Sequence, residues 1–203
     1  MLSDSEKNAI SYDKICGKWT LERNKTQINN CIVELAKYLK KNGKVLDIGC
    51  GSGYPIDQYL VEKGFHVTGV DISGNMIERA KSLNLRHAEF IHRDFFEFTS
   101  EEKFDGIIAF DSLWHMGKDS QREIYTRISG FAEQGAYLLF THGSRDHQTE
   151  GKMFGEKFYY AAIDRAEVHA LLESNGFTIV STIENYAEQT TGERDLLVIA
   201  RKG

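Results

Sequence analysis

Cysteine is scarce in this 203-residue chain: Cys16, Cys31 and Cys50 are an odd number at irregular spacing, with no Cys-x-x-Cys. That excludes a disulfide framework and a structural zinc site, and no metal site is expected. Long apolar runs are missing as well. No stretch approaches 18 consecutive apolar residues, and Met1-Leu2-Ser3-Asp4-Ser5-Glu6 lacks the basic-then-apolar layout of a signal peptide. A cytoplasmic protein without membrane attachment is expected. Positive charge is also in deficit: 25 Lys+Arg against 30 Asp+Glu give −5. Nucleic acid is therefore an unfavoured partner. The one basic cluster, Lys37, Lys40, Lys41 and Lys44, reads as a helix C-terminus complementing its dipole. There are no internal repeats and no low-complexity stretch.

What is present is an ordinary globular composition, 41% hydrophobic and 27% charged, at a length suited to one domain over residues 1–203. The chain is organised around Lys44-Val45-Leu46-Asp47-Ile48-Gly49-Cys50-Gly51-Ser52-Gly53. Lys44 to Ile48 has the β-branched and apolar character of a central parallel strand buried on both faces. Gly49, Gly51 and Gly53 then allow left-handed backbone and a close approach to a flat ligand, and Pro55 suits the first turn of a helix. Cys50, inside the turn, reads as a small packing residue.

The glycine spacing discriminates between ligands. A dinucleotide fingerprint needs glycine at the first, third and sixth positions, and the sixth position from Gly49 is Tyr54. Alternate glycines preceded by Asp47 suit a ligand with an amino group, a carboxylate and a ribose but no phosphate, which points to S-adenosylmethionine, with S-adenosylhomocysteine as product. Phe65–Asp71 reads as the second strand, and Asp71 lies 18 residues after Gly53, close to the ~20 expected of a carboxylate that accepts from ribose hydroxyls. The competing role for Asp71 is a helix N-cap, which Ser73 can fill instead.

Along the rest of the chain, residues 5–21 read as a weakly amphipathic helix or helix pair. Residues 22–41 read as a stronger helix with Ile28, Ile32, Leu35, Ala36 and Leu39 on one stripe, so that 1–43 is a helical cap and 44–203 the ligand-binding core. Helices are expected at 55–63, 73–83, 118–131 and 164–175. Strands are expected at 88–96, 104–110 and 136–141. Residues 177–184 and 196–200 are expected to pair antiparallel across a link at 186–194. Residues 142–160 read as a long functional loop whose Phe154, Phe158, Tyr159 and Tyr160 wall an acceptor pocket. Met76 is either core or a ligand wall. The alternation predicts an α/β fold.

Three stretches, Val45–Gly53, Gly69-Val70-Asp71-Ile72-Ser73 and Phe104-Asp105-Gly106-Ile107-Ile108, resemble the class I S-adenosylmethionine-dependent methyltransferases. The likeness is to their small-molecule, ubiquinone-pathway-like branch. The resemblance implies a Rossmann-like, seven-stranded, mostly parallel sheet with helices on both faces and a C-terminal antiparallel hairpin. It implies that Asp47, Gly49, Cys50, Gly51, Gly53, Asp71, Ile72, Met76 and Phe110 surround the cofactor, that Asp94 accepts from the adenine amino group, and that the Phe95 amide meets a ring nitrogen. Tyr12, Trp19 and Arg23 resemble an N-terminal lid. Their chemistry agrees, because aromatic faces attract a sulfonium and a guanidinium pairs with a carboxylate.

Methyl transfer needs alignment more than acid–base machinery. His115 and His142, just past the fourth and fifth strands, are the expected bases where a proton must leave; the other reading is that each orders a loop. The expected function is methylation of an O, N or S atom of a small metabolite. Protein or tRNA methylation and a non-catalytic cofactor-binding module are the alternatives. Oligomeric state is not legible.

Overall fold

Lys44–Ile48 forms strand β1, buried at every position after Lys44, and its neighbours settle the architecture. The computed structural model describes residues 2–188 and 192–203. Helices α1 (Asp4–Arg23) and α2 (Asn30–Tyr38) precede β1, followed by α3 (Ile56–Glu62), β2 (His66–Asp71), α4 (Gly74–Ser82), β3 (Ala88–His92) and β4 (Phe104–Ala109). A 3₁₀ turn at Leu113–His115, α5 (Lys118–Phe131), β5 (Ala132–His142), β6 (His147–Met153), β7 (Glu156–Ala162), α6 (Arg165–Ser174), β8 (Phe177–Glu188) and β9 (Gly192–Lys202) complete it.

The main sheet has seven strands in the order β3-β2-β1-β4-β5-β9-β8. Pairings from β3 to β5 are parallel, while β9 is antiparallel to both β5 and β8. The expected Rossmann-like fold with its C-terminal antiparallel hairpin is the fold observed. Strand order reverses between β1 and β4, which opens a crevice beyond their carboxyl ends. Side-chain alternation divides the core. Leu46, Ile48, Ile107 and Leu138 pack with Ile124, Tyr125 and Ile128 of α5 on one face. Val45, Ile108 and Leu139 pack with Ile32, Leu35, Ile56 and Leu60 of α2 and α3 on the other.

Several boundaries differ from expectation. The helix read over 22–41 is α2 alone: Glu22 to Gln27 carries no apolar side chain to hold against the sheet, and the Thr26 hydroxyl donates to the Arg23 carbonyl at 2.7 Å, closing α1. Strand β3 stops at His92 because Asp94 Oδ1 accepts from the Phe96 amide at 2.9 Å and turns the chain. The loop read over 142–160 is mostly the β6–β7 hairpin, turned by Phe154 (φ 51°) and Gly155 (φ 91°); two left-handed residues match a tight hairpin. Strands β8 and β9 run longer than read, so that the middle of the expected link, 189–191, lies outside the described residues. Among the described residues no helix is long and apolar enough to cross a membrane.

Candidate active site

At the carboxyl ends of β1, β2 and β4 lies a cavity closed on one side by α1. Its floor is the glycine turn. Gly49 has φ 76°, and a Cβ there would stand 2.4 Å from Ser112 Cβ, so only glycine admits the close crossing of the two loops. Ser112 fixes that crossing by donating to the Ile48 carbonyl at 2.7 Å. Gly51 has φ 56° and nothing within 4 Å of a would-be Cβ. It leaves bare backbone at the cavity.

Asp71 ends β2 at the cavity wall, where its Oδ2 accepts from the Gly51 amide at 2.9 Å and its Oδ1 from the Ser73 amide at 2.8 Å. Burial pushes its carboxyl upward, and those two amides pull it back. Ser73 itself caps α4, its hydroxyl accepting from Met76 N at 3.2 Å, so the capping task falls on Ser73.

The cavity brings together Tyr12, Trp19, Arg23, Asp47, Gly49, Cys50, Gly51, Asp71, Ile72, Met76, Asp94, Phe95, Phe110 and His115 of the residues singled out from sequence. Gly53 and His142 are not in its lining. Gly53 (φ 73°) turns toward Phe90 and Leu83, which a Cβ would meet at 3.0 and 3.2 Å, so it serves packing. His142 is the last residue of β5 and fully buried. Its Nδ1 lies 2.8 Å from the Gly143 carbonyl and its Nε2 3.0 Å from Gln121 Oε1, so neither ring nitrogen is left for the cavity. The aromatic segment is likewise set back. Phe154 is exposed at the hairpin tip, while Phe158 and Tyr160 stand behind the wall, with ring centroids 5.9 and 5.0 Å from that of His115.

His115 sits in the 3₁₀ turn after β4 and meets α1. Its Nε2 is 2.9 Å from the Tyr12 hydroxyl, and its Nδ1 is 3.3 Å from the Tyr159 carbonyl. Asn8 pins α1 to β7 by donating to the Tyr159 carbonyl at 2.8 Å and accepting from the Tyr159 amide at 2.8 Å. Burial holds the His115 imidazole down, to about 4, so it is neutral at physiological pH. Burial also pushes the Tyr12 hydroxyl well above its ordinary value. Arg23, lowered by burial, lies over the Trp19 ring at 5.8 Å and forms no ion pair among the described residues.

Sequence reading missed Asn8, and it missed the Asp111–Arg194 pair. Asp111 follows β4 with φ 58°, a strained backbone for a non-glycine residue. Arg194, 6% exposed, donates to both carboxylate oxygens, at 2.9 and 2.5 Å. Both partners belong to the structure of the lip, and only their long separation in sequence hides them.

A family model described as a methyltransferase domain matches residues 21–182. The chain belongs to this methyltransferase-domain family. Among curated relatives, it is 28% identical over 152 residues to the O-methyltransferase rstn1 of Aspergillus nomiae, covering 68% of this chain and 65% of that protein. It is 29% identical over 180 residues to phosphoethanolamine N-methyltransferase 1 of Arabidopsis thaliana, covering 84% and 36%. The chain thus spans about a third to two thirds of the length of these relatives. Among solved structures, magnesium protoporphyrin IX methyltransferase from Synechocystis PCC 6803, with bound S-adenosylmethionine, superposes with a TM-score of 0.76 at 18% identity, covering 100% of this chain and 99% of that one. At that identity the likeness is one of fold.

Proposed function

We propose that this methyltransferase domain binds S-adenosylmethionine in the cavity and methylates an O, N or S atom of a small metabolite. The observation that carries the reading is the floor of the cavity: Asp71, held by the Gly51 and Ser73 amides, beside a glycine turn whose bare backbone lies open. These residues fit the cofactor. A half-buried carboxylate suits a ribose diol, the Tyr12 and Trp19 faces suit a sulfonium, and Arg23 suits the methionine carboxylate. Asp94, Phe95, Ile72 and Met76 remain for the adenine. When bound, S-adenosylmethionine supplies a methyl group already activated by the sulfonium for in-line displacement.

The chain's own part is to align the acceptor, exclude water and move one proton. Asn8 Nδ2 lies 2.8 Å from the Tyr159 carbonyl and 3.2 Å from both the His115 carbonyl and His115 Nδ1; in the tautomer this proposal uses, both amide hydrogens go to the carbonyls, Nδ1 carries the ring proton toward the Tyr159 carbonyl, and Nε2 accepts from Tyr12. An acceptor hydroxyl or amine gives its proton to the Tyr12 oxygen as Tyr12 passes its own to His115 Nε2. Helix α1 is the lid that completes this pair, since Ser5, Asn8, Ala9, Tyr12, Trp19 and Arg23 all face the cavity.

Relatives named for O- and N-methylation support a small acceptor. The net negative charge weighs against nucleic acid, and three free cysteines suit the reducing cytoplasm. We read 1–203 as one domain. Calorimetric titration with S-adenosylhomocysteine and with NAD tests the cofactor assignment: binding of the first and none of the second is expected, and the reverse overturns it.

A further inference from the structure

The glycine turn rests on a feature that methyl transfer does not require. Alternation along β1 points Val45 and Asp47 toward α2 and α3, the face on which Ile56 and Leu60 pack. Asp57 stands on the first turn of α3. The two carboxyl groups meet there, with Asp57 fully buried and Asp47 2% exposed at the cavity wall. No N–H or hydroxyl of the described residues reaches either oxygen of Asp57. Two bare carboxylates in contact within an apolar core are not sustainable, because each lacks a donor and repels the other. A proton between them gives both a partner.

We propose that Asp57 is a positioning residue that shares a proton with Asp47 beneath the glycine turn, so that a cationic ligand entering the cavity meets a single negative charge from the pair and displaces a proton on binding. The inference rests on the reading that S-adenosylmethionine, with its ammonium and sulfonium, is that ligand.

The surroundings give the direction. Burial pushes the Asp57 carboxyl well up, and the Asp47 charge adds to the effect. Burial also raises Asp47, to about 7, with the hydrogen bond to Asp57 opposing, Asp71 from β2 reinforcing and Arg23 from α1 opposing. Cys50, in the turn, is held as a thiol by burial and by the same three carboxyl groups. The pair's first step is therefore raised far above the ordinary carboxylate range, with two protons and no charge below it and one proton and one negative charge above it. A cation binds the second state better, so affinity rises with pH and binding releases a proton.

The test is calorimetric titration of the full chain with S-adenosylmethionine from pH 6 to pH 8, in buffers of differing ionisation enthalpy so that released protons are counted. For the wild type, affinity is expected to rise about tenfold across that range, with about half a proton released at pH 7. In Asp57→Asn the amide donates to Asp47 without a titrating proton, so binding is expected to persist with little pH dependence and no proton release. His92, whose charge reaches Asp71, is present in both proteins, so their difference isolates the pair. Wild-type affinity that is flat with pH overturns the proposal while leaving the cofactor assignment intact. So does an Asp57→Asn profile as steep as that of the wild type. Absence of binding at every pH overturns the cofactor assignment and this inference with it. Should Asp57→Asn fail to fold, Asp57→Ser, which likewise carries no titrating proton, supplies the same comparison.

Discussion

Asp71→Ala removes a charged acceptor whose hydrogen bonds are worth ~1.5–3 kcal/mol each before water compensates. Affinity for S-adenosylhomocysteine is therefore expected to fall at least about tenfold by calorimetry, and unchanged affinity removes Asp71 from the site. His115 makes a prediction of a different kind. Its folded-state value, about 4, lies below the ordinary 6.5, so the unfolded chain binds more protons between those values. Stability accordingly rises as pH climbs from 4 to 6.5 and, for this ring, is level on either side. The raised Asp47, Asp57 and Asp71 carboxyls give the opposite slope over the same window, so the ring is read by difference: in urea titrations the stability of the wild type relative to His115→Gln is expected to be greater at pH 6.5 than at pH 4.5, and an equal difference at both places the slope elsewhere. At this scale the residues legible in sequence were those fixed by local spacing, such as Gly49, Gly51 and Asp71. His142 was misplaced because β5 includes it as its last residue, and alternation turns it into the core with Phe140. Asp57 was passed over because a polar residue on the first turn of a helix usually faces water, whereas here α3 presents that position to β1.

Among the elements, β1 with its glycine turn and α5 could be read directly, because an apolar run or stripe is a local pattern. Helix α1 could not be bounded, since its apolar residues form no clean stripe and Asn8 and Ser11 are buried by pairing with β7. The β6–β7 hairpin escaped notice because Phe154 is an unusual residue for a left-handed turn position. These elements carry two further predictions. Deleting residues 1–21 is expected to leave a cooperatively folded core, to weaken cofactor binding and to abolish turnover; wild-type affinity in the truncated protein makes α1 packing alone. Arg194→Ala leaves the half-buried Asp111 carboxylate, carried on a strained backbone, with Thr141 at 3.2 Å as its remaining donor among the described residues. A loss of about 3 kcal/mol in chemical denaturation is expected from breaking a buried pair, and a loss under ~0.5 kcal/mol shows that the pair does not hold the lip.

For the whole molecule, the order of strands decides where chemistry can occur. A chain that winds outward from β1 to β3 and then returns to β4 leaves its crevice between the ends of β1 and β4, and the glycine turn, Asp71 and the 3₁₀ turn with His115 all arrive there. Helix α1 then covers the opening from outside the sheet. The alternation of helices and strands made that layout legible, whereas contacts across distant segments, such as Tyr12 with His115 or Asp111 with Arg194, leave no pattern in a single sequence. The central claim is transfer of a methyl group to a small acceptor. It is tested most directly by incubating the protein with methyl-labelled S-adenosylmethionine and fractionated cell extract, then sizing the labelled product. Label is expected in a low-mass compound and is lost in the Asp71→Ala variant. Label confined to protein or RNA, or a low-mass product formed equally well by that variant, contradicts the claim.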